Sequence, residues 1–498
     1  MLVALLFTSP AVPQDAATVT SPGPASVAVT VYRGADATAG LNLDWLGGYA
    51  LVTETRTLRL PAGPATVRFD GVAGGIVPAS ALVTGLPGGV IEKNRDDRLL
   101  SPSALVDGSL GRRVTLTRTD RATGRVRVQP AVIVAGPSGG VVVRTPDGVE
   151  ALGCSGLPES TRYPAVPAGL GAGPVLSVRT ASPRATTATV TLAYLTSEFD
   201  WRASYVATIA PDGRHLDLSA TLTLANGNAE SFRAAQVFAV AGRANHRDQR
   251  FRPVVRPLRL DCYPLGTTTS TLPPAREFEQ EDARERIVVT GSVVPPPLMM
   301  MAPAPVAPPP PPPPEDLGDL KLYRVPERVT VASHAQKQVA LLAAAGVPFE
   351  RVYRATLPPA AAVARRATAI ALRLRNDAGG GLGQPLPAGG TTLYVTRAGQ
   401  RLLLGTGTLP DKAVGESVRL AAGISAQVQV EQAAFSARTG ALHATNANPF
   451  PVAIEIGLAA PPANIVADTP FPLVDGRPTW VATIPAHGEA RVTYRVGG

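Results

Sequence analysis

RVRVQPAVIVAGPSGGVVVRT, residues 125–145, alternates charged or small side chains with apolar ones, breaks at a Gly-Pro-Ser-Gly-Gly turn, and resumes as a β-branched run. Period-two alternation on both sides of a glycine-rich break is the pattern of a hairpin, because a helix repeats its apolar positions every three to four residues. A second turn, Pro146-Asp147-Gly148, follows at once, so successive hairpins are expected. The break also spells G-x-S-x-G, Gly136 to Gly140, the turn on which hydrolases expose a serine. That elbow needs a helix after the serine, and Val141-Val142-Val143 is a strand, so Ser138 is read as a turn residue.

Outward from this stretch the same grammar recurs. Strands are expected at 27–32, at 53–60 before Pro61-Ala62-Gly63-Pro64, at 186–195, at 205–209 before Pro211-Asp212-Gly213, and at 216–224 before Asn226-Gly227. They return at 328–331, 337–343, 351–355, 368–374, 391–396, 401–404, 417–420, 426–430, 452–456, 479–484 and 490–496. Residues 335–345 have helix-forming composition but no polar face at 3.6 spacing, and Gly346-Val347-Pro348 follows as a turn, so they too are read as strand. Between 272 and 316 the pattern stops: a mixed-charge run, 276–286, leads to Pro295-Pro296-Pro297 and an unbroken proline run at 308–314. Proline has no amide to donate and a fixed φ, so this stretch cannot join a sheet; at about 3.1 Å per residue, 293–314 extends to roughly 70 Å.

The chain's 498 residues suit two or three domains. Aromatics are only 5%, while 48 Gly and 50 Pro punctuate short apolar runs, which favours many short strands over helices. The expected fold is therefore all-β: a signal segment at 1–16, an N-terminal β domain of hairpins at 26–160, and a C-terminal β-sandwich in two parts, 185–271 and 317–498, interrupted by a Pro-rich disordered insertion at 272–316. Gly169-Leu170-Gly171-Ala172-Gly173-Pro174 has no helix after it to cradle a phosphate and is assigned to an inter-domain loop.

A net charge of +9 invites a nucleic-acid reading, but only Lys93, Lys321, Lys337 and Lys412 are lysines and the arginines are scattered singly. The densest group, Arg118, Arg121, Arg125 and Arg127, alternates with Val126 and Val128 as a solvated sheet face would, so no nucleic-acid partner is expected. The apolar run 2–7, followed by Thr8-Ser9-Pro10-Ala11, reads as the end of a secretory signal cut after Ala11 or Ala16, although the usual positive n-region is missing. The alternative is a frayed apolar N-terminus. No stretch approaches the roughly 18 apolar residues a spanning helix needs, so no membrane span is expected, and the location is periplasmic or cell-surface.

Two cysteines, Cys154 and Cys262, form a candidate disulfide in such a compartment, the alternative being unpaired thiols. His215, His246, His334, His443 and His487 stand far apart without metal-ligand spacing, and the carboxylates of 277–285 are interleaved with arginines. No catalytic residue, metal or cofactor is assigned. Ile287-Val288-Val289-Thr290-Gly291 is a candidate interaction strand able to add to a sheet edge. It resembles the short box near the N-terminus of energy-coupled outer-membrane receptors; the alternative is an incidental local strand.

Five phrases resemble domain-of-unknown-function family 4139, a bacterial envelope family that includes mucoidy-inhibitor-like proteins: CSGLPE at 154–159, YLTSEFDWRASY at 194–205, DLKLYRVPER at 319–328, KQVALL at 337–342 and PLPAG at 385–389. The resemblance covers the chain from about residue 150 onward, and no heptads precede residue 185, unlike members with a long coiled coil. It implies an envelope-associated β-sandwich with a variable interruption and carries over no catalytic residue. The aromatics Tyr194, Phe199, Trp201 and Tyr205 are expected in a sandwich core, or else as an exposed ligand platform. The expected function is a non-catalytic exported protein that binds or scaffolds protein or glycan components of the envelope; the alternative is a hydrolase or carbohydrate-active enzyme whose site is assembled from distant loops.

Overall fold

The structure, a computed structural model, describes residues 16–36, 40–96, 100–120, 122–136, 140–153, 157–167, 170–171, 173–245, 312–459 and 465–497. It is all-β apart from a short 3-10 turn and one α-helix, Pro102–Gly108, among the described residues. Ser101 caps that helix by accepting from the Ala104 amide at 3.1 Å, and Pro102 supplies the pre-set first turn. None of the described helices is long and apolar enough to cross a membrane. Contacts divide the chain into two units, the first built from 1–95, 175–252 and 310–498, the second from 96–174 and 253–309.

The expected N-terminal domain, 26–160, coincides with neither unit. In the first unit Gly48–Leu60 pairs antiparallel with Thr186–Ile209 from Leu60↔Thr186 to Tyr49↔Ser197, and Ser26–Tyr32 pairs parallel with Phe232–Ala241. The N-terminal strands thus belong to the same sheet as strands about 140 to 200 residues later, and 96–174 forms its own unit. Alternation marks a strand but carries no trace of its partner, and a parallel partner always lies a crossover away.

Thr186–Ile209 is the spine of this sheet. At Glu198, where φ is 63°, a bulge shifts the register and the strand changes partners, pairing from Phe199 onward with His215–Asn226 and from Ala203 onward, in parallel, with Gly389–Arg397. Tyr194, Phe199, Trp201 and Tyr205 are fully buried in the core, as the core reading expected. Trp201 lies 6.1 Å from Tyr323 and donates its indole N–H to the Val240 carbonyl at 3.2 Å; Phe199 tilts against Phe232 at 5.7 Å. Glu54 and Arg56, two apart on one strand and so on one face, are both buried in this core. Arg56 donates to Glu54 at 2.6 Å and to the carbonyls of Asp70 and Pro22. Burial pushes the Glu54 carboxyl up even though Arg56 pulls it down.

The same unit carries a second, nine-stranded sheet. Its core, with Tyr353, Leu442, Ile454, Trp480 and Tyr494, draws on strands from both halves of the sheet order, which makes it a β-sandwich. Ala335–Pro348 is a strand, as its lack of a polar face predicts. Glu315–Leu317 pairs with Leu320–Arg324, so the sheet resumes inside the stretch expected to be insertion as far as 316. The rest of 272–316 up to 311, and the 1–15 part of the signal segment, lie outside the described residues.

The second unit contains a five-stranded antiparallel sheet over a small core that includes Val106, Leu116, Ile133 and Val143. Val126–Ala135 pairs with Val142–Thr145 and the latter with Gly148–Ala151, the successive hairpins that the opening stretch spells.

Candidate functional site

Asp200, in the segment from Glu198 to Tyr205, holds Gly34 in the wall of a cavity of the first unit. The bulge at Glu198 breaks the alternation, so Phe199, Asp200 and Trp201 are buried in succession. A buried carboxylate is costly unless its lone pairs are filled. Asp200 Oδ1 accepts from the amides of Gly34 at 2.9 Å and Trp201 at 2.8 Å and pairs with Arg202 at 2.6 Å. This fixes the turn after Ser26–Tyr32 against Gly48, where a Cβ would lie 2.3 Å from the Tyr32 carbonyl oxygen and 2.6 Å from that of Phe199. Only glycine allows the three chain segments to meet so closely.

Above this junction lies a cavity of about 290 Å³ lined by Tyr32, Gly34, Gly48, Tyr49, Ser197 and Arg243, among others. The Tyr32 and Tyr49 rings stack at 4.7 Å and 7°. Burial pushes both phenols above their ordinary range, and Tyr32 raises Tyr49 further. Arg243 donates to the Ala35 carbonyl at 3.3 Å. Aromatic faces, backbone and a guanidinium are recognition chemistry, and neither a carboxylate nor an imidazole is part of the described lining.

Of the residues singled out in the sequence, Cys154, Cys262 and Ile287, Val288, Val289, Thr290 and Gly291 lie outside the described residues, as do His246, Arg121 and Ser138. His215 pairs with Asp212 at 2.5 Å, and His443 stands between Glu431 at 2.7 Å and Glu489 at 2.9 Å. Among the described residues no three His, Cys, Asp or Glu side chains are grouped to hold a metal. Arg118 is tied to Glu150 and Glu159, and Arg127 to Asp147, beside the exposed Val126 and Val128. These arginines are an ion-paired sheet face.

Compared with known proteins, the chain matches no family model and no curated protein.

Proposed function

We propose that the chain is a non-catalytic, exported envelope protein that binds or scaffolds envelope components by offering a sheet edge to a partner's extended strand. The observation that carries this reading is Gln400–Leu409. Among the described residues it is hydrogen-bonded on one side only, to Gly389–Arg397. Leu402, Leu403 and Leu404 stand exposed in a row, at 46%, 59% and 37%. A register shift between Leu393 and Tyr394, whose partners are Gly405 and Leu403, leaves Leu404 as the extra residue and brings three leucines to solvent where strict alternation would bury one. Gly405 and Gly407 pack against 421–423, so the stretch open to a partner's strand is the 400–403 end with its exposed leucines. The apolar run at 2–7 and the family resemblance support the exported location.

A photo-crosslinking residue at Leu403, in the full-length chain inside living cells, tests both parts. A discrete protein adduct in the periplasmic or surface fraction is expected, with none from the same probe at exposed Val206, whose strand is paired on both sides. Recovery in the cytoplasm with an intact N-terminus would count against export, and equal labelling from both positions would count against the edge.

A further inference from the structure

We infer that the outer face of the nine-stranded sandwich binds a multiply charged oxyanion, a phosphate or sulfate group, between Arg354, Arg366 and Arg477. The three arginines come from Glu350–Leu357, Val363–Arg375 and Arg477–Ile484 and line one concavity of about 760 Å³. Its floor is made of small side chains, Ala367, Ala369, Thr356 and Thr479, which leave room for a ligand where larger residues would fill the face. Asp475 is the one carboxylate in the described lining.

The Arg354 guanidinium is held in place. Glu455, whose side chain is 1% exposed, lies under the face with Oε2 2.9 Å from Arg354 Nε and 3.4 Å from Arg419 Nε, and Oε1 2.6 Å from Arg373 Nη1. Asp475 sits at the tip of an Asp-Gly hairpin turn with φ of 51° and 74°, and reaches Arg354 at 2.7 Å and Arg419 at 2.8 Å. Although its partial burial works the other way, Arg419 and Arg354 hold the Asp475 carboxyl below its ordinary range. Arg366 is oriented by donating to the Thr356 carbonyl at 2.8 Å, and neither it nor Arg477 has a carboxylate within ion-pairing distance among the described residues. Two guanidinium groups without counter-charge line the same concavity as a third, pinned one. A tetrahedral dianion offers the paired oxygens that match the guanidinium fork.

Calorimetric titration of the full-length chain at constant ionic strength, with inorganic phosphate, dextran sulfate and uncharged dextran, tests this. Phosphate is expected to bind, and Arg366→Ala with Arg477→Ala to weaken it at least ten-fold without moving the unliganded melting midpoint. The equal charge loss Arg125→Ala with Arg127→Ala on the other unit should leave binding intact. Dextran sulfate binding more tightly than phosphate, with the same dependence on Arg366 and Arg477, assigns the group to a polymer; preference for phosphate assigns it to a free anion. No binding of either anion, undiminished binding by the first variant, or equal loss in the control variant would overturn the site.

Discussion

The buried hydroxyl of Tyr205 donates to the carbonyl oxygen of Pro387 at 2.6 Å, joining residues 182 positions apart. Two positions on either side, Ala203 and Gly389 open the parallel ladder between Thr186–Ile209 and Gly389–Arg397. Two segments far apart in sequence, 194–205 and 385–389, therefore meet at one bond. Tyr205→Phe keeps the ring and leaves the Pro387 carbonyl without its donor, so a loss of about 1–2 kcal/mol is expected from urea unfolding.

Gly48→Ala should cost more. The two nearest atoms that its Cβ would meet are backbone oxygens, in different segments, so neither can swing aside. A destabilisation of about 2–3 kcal/mol is expected. Gly23→Ala, with nothing within 4 Å, should stay within about 0.5 kcal/mol by the same measurement.

Arg56→Ala strands the buried Glu54 carboxylate, for which a loss of about 3–5 kcal/mol is expected at neutral pH. Its pH dependence has a definite sign. Burial already raises the folded-state pKa of Glu54 above 4.5, and removing Arg56 raises it further, so the folded variant takes up a proton more readily than the unfolded chain. Stability relative to the parent should therefore recover as pH falls toward 4.5 from above. A deficit that is constant between pH 7 and pH 5 would contradict this.

Asp212 behaves in the opposite sense. The Arg214 amide, the His215 ring and the His215 amide all bond its carboxylate, holding its pKa down at about 2. The stabilisation of this turn is complete above the ordinary value of 3.8 and is lost as pH falls through about 2. Carboxyl carbon shifts followed by NMR should show the low midpoint. Arg214→Pro, which deletes the donor amide, should raise it.

Arg477 and Arg366 show why the candidate anion site escapes a reading of the sequence alone. Each is a lone arginine in an unremarkable strand, and only the sheet order brings them together; the one local signal was Glu455, a single charge within the apolar run 452–458. Strands such as Val126–Ala135 were legible because alternation is local. The bulge at Glu198 was not, since no glycine or proline marks it, and it decides where the strand changes partners. The Pro102–Gly108 helix has one local sign, the Ser101 cap followed by Pro102, which the strand reading of the sequence did not use.

Ala241 and Lys321 are register partners in neighbouring antiparallel strands, so the chain leaves the first sheet and re-enters it almost at the same point. Whatever is spliced between those strands adds only the entropy of closing a loop, which grows by about 0.6 kcal/mol for each doubling of length. The fold therefore has a port: a connection between Ala241 and Lys321 can change in length while Phe232–Ala241 and Leu320–Arg324 keep their hydrogen bonds.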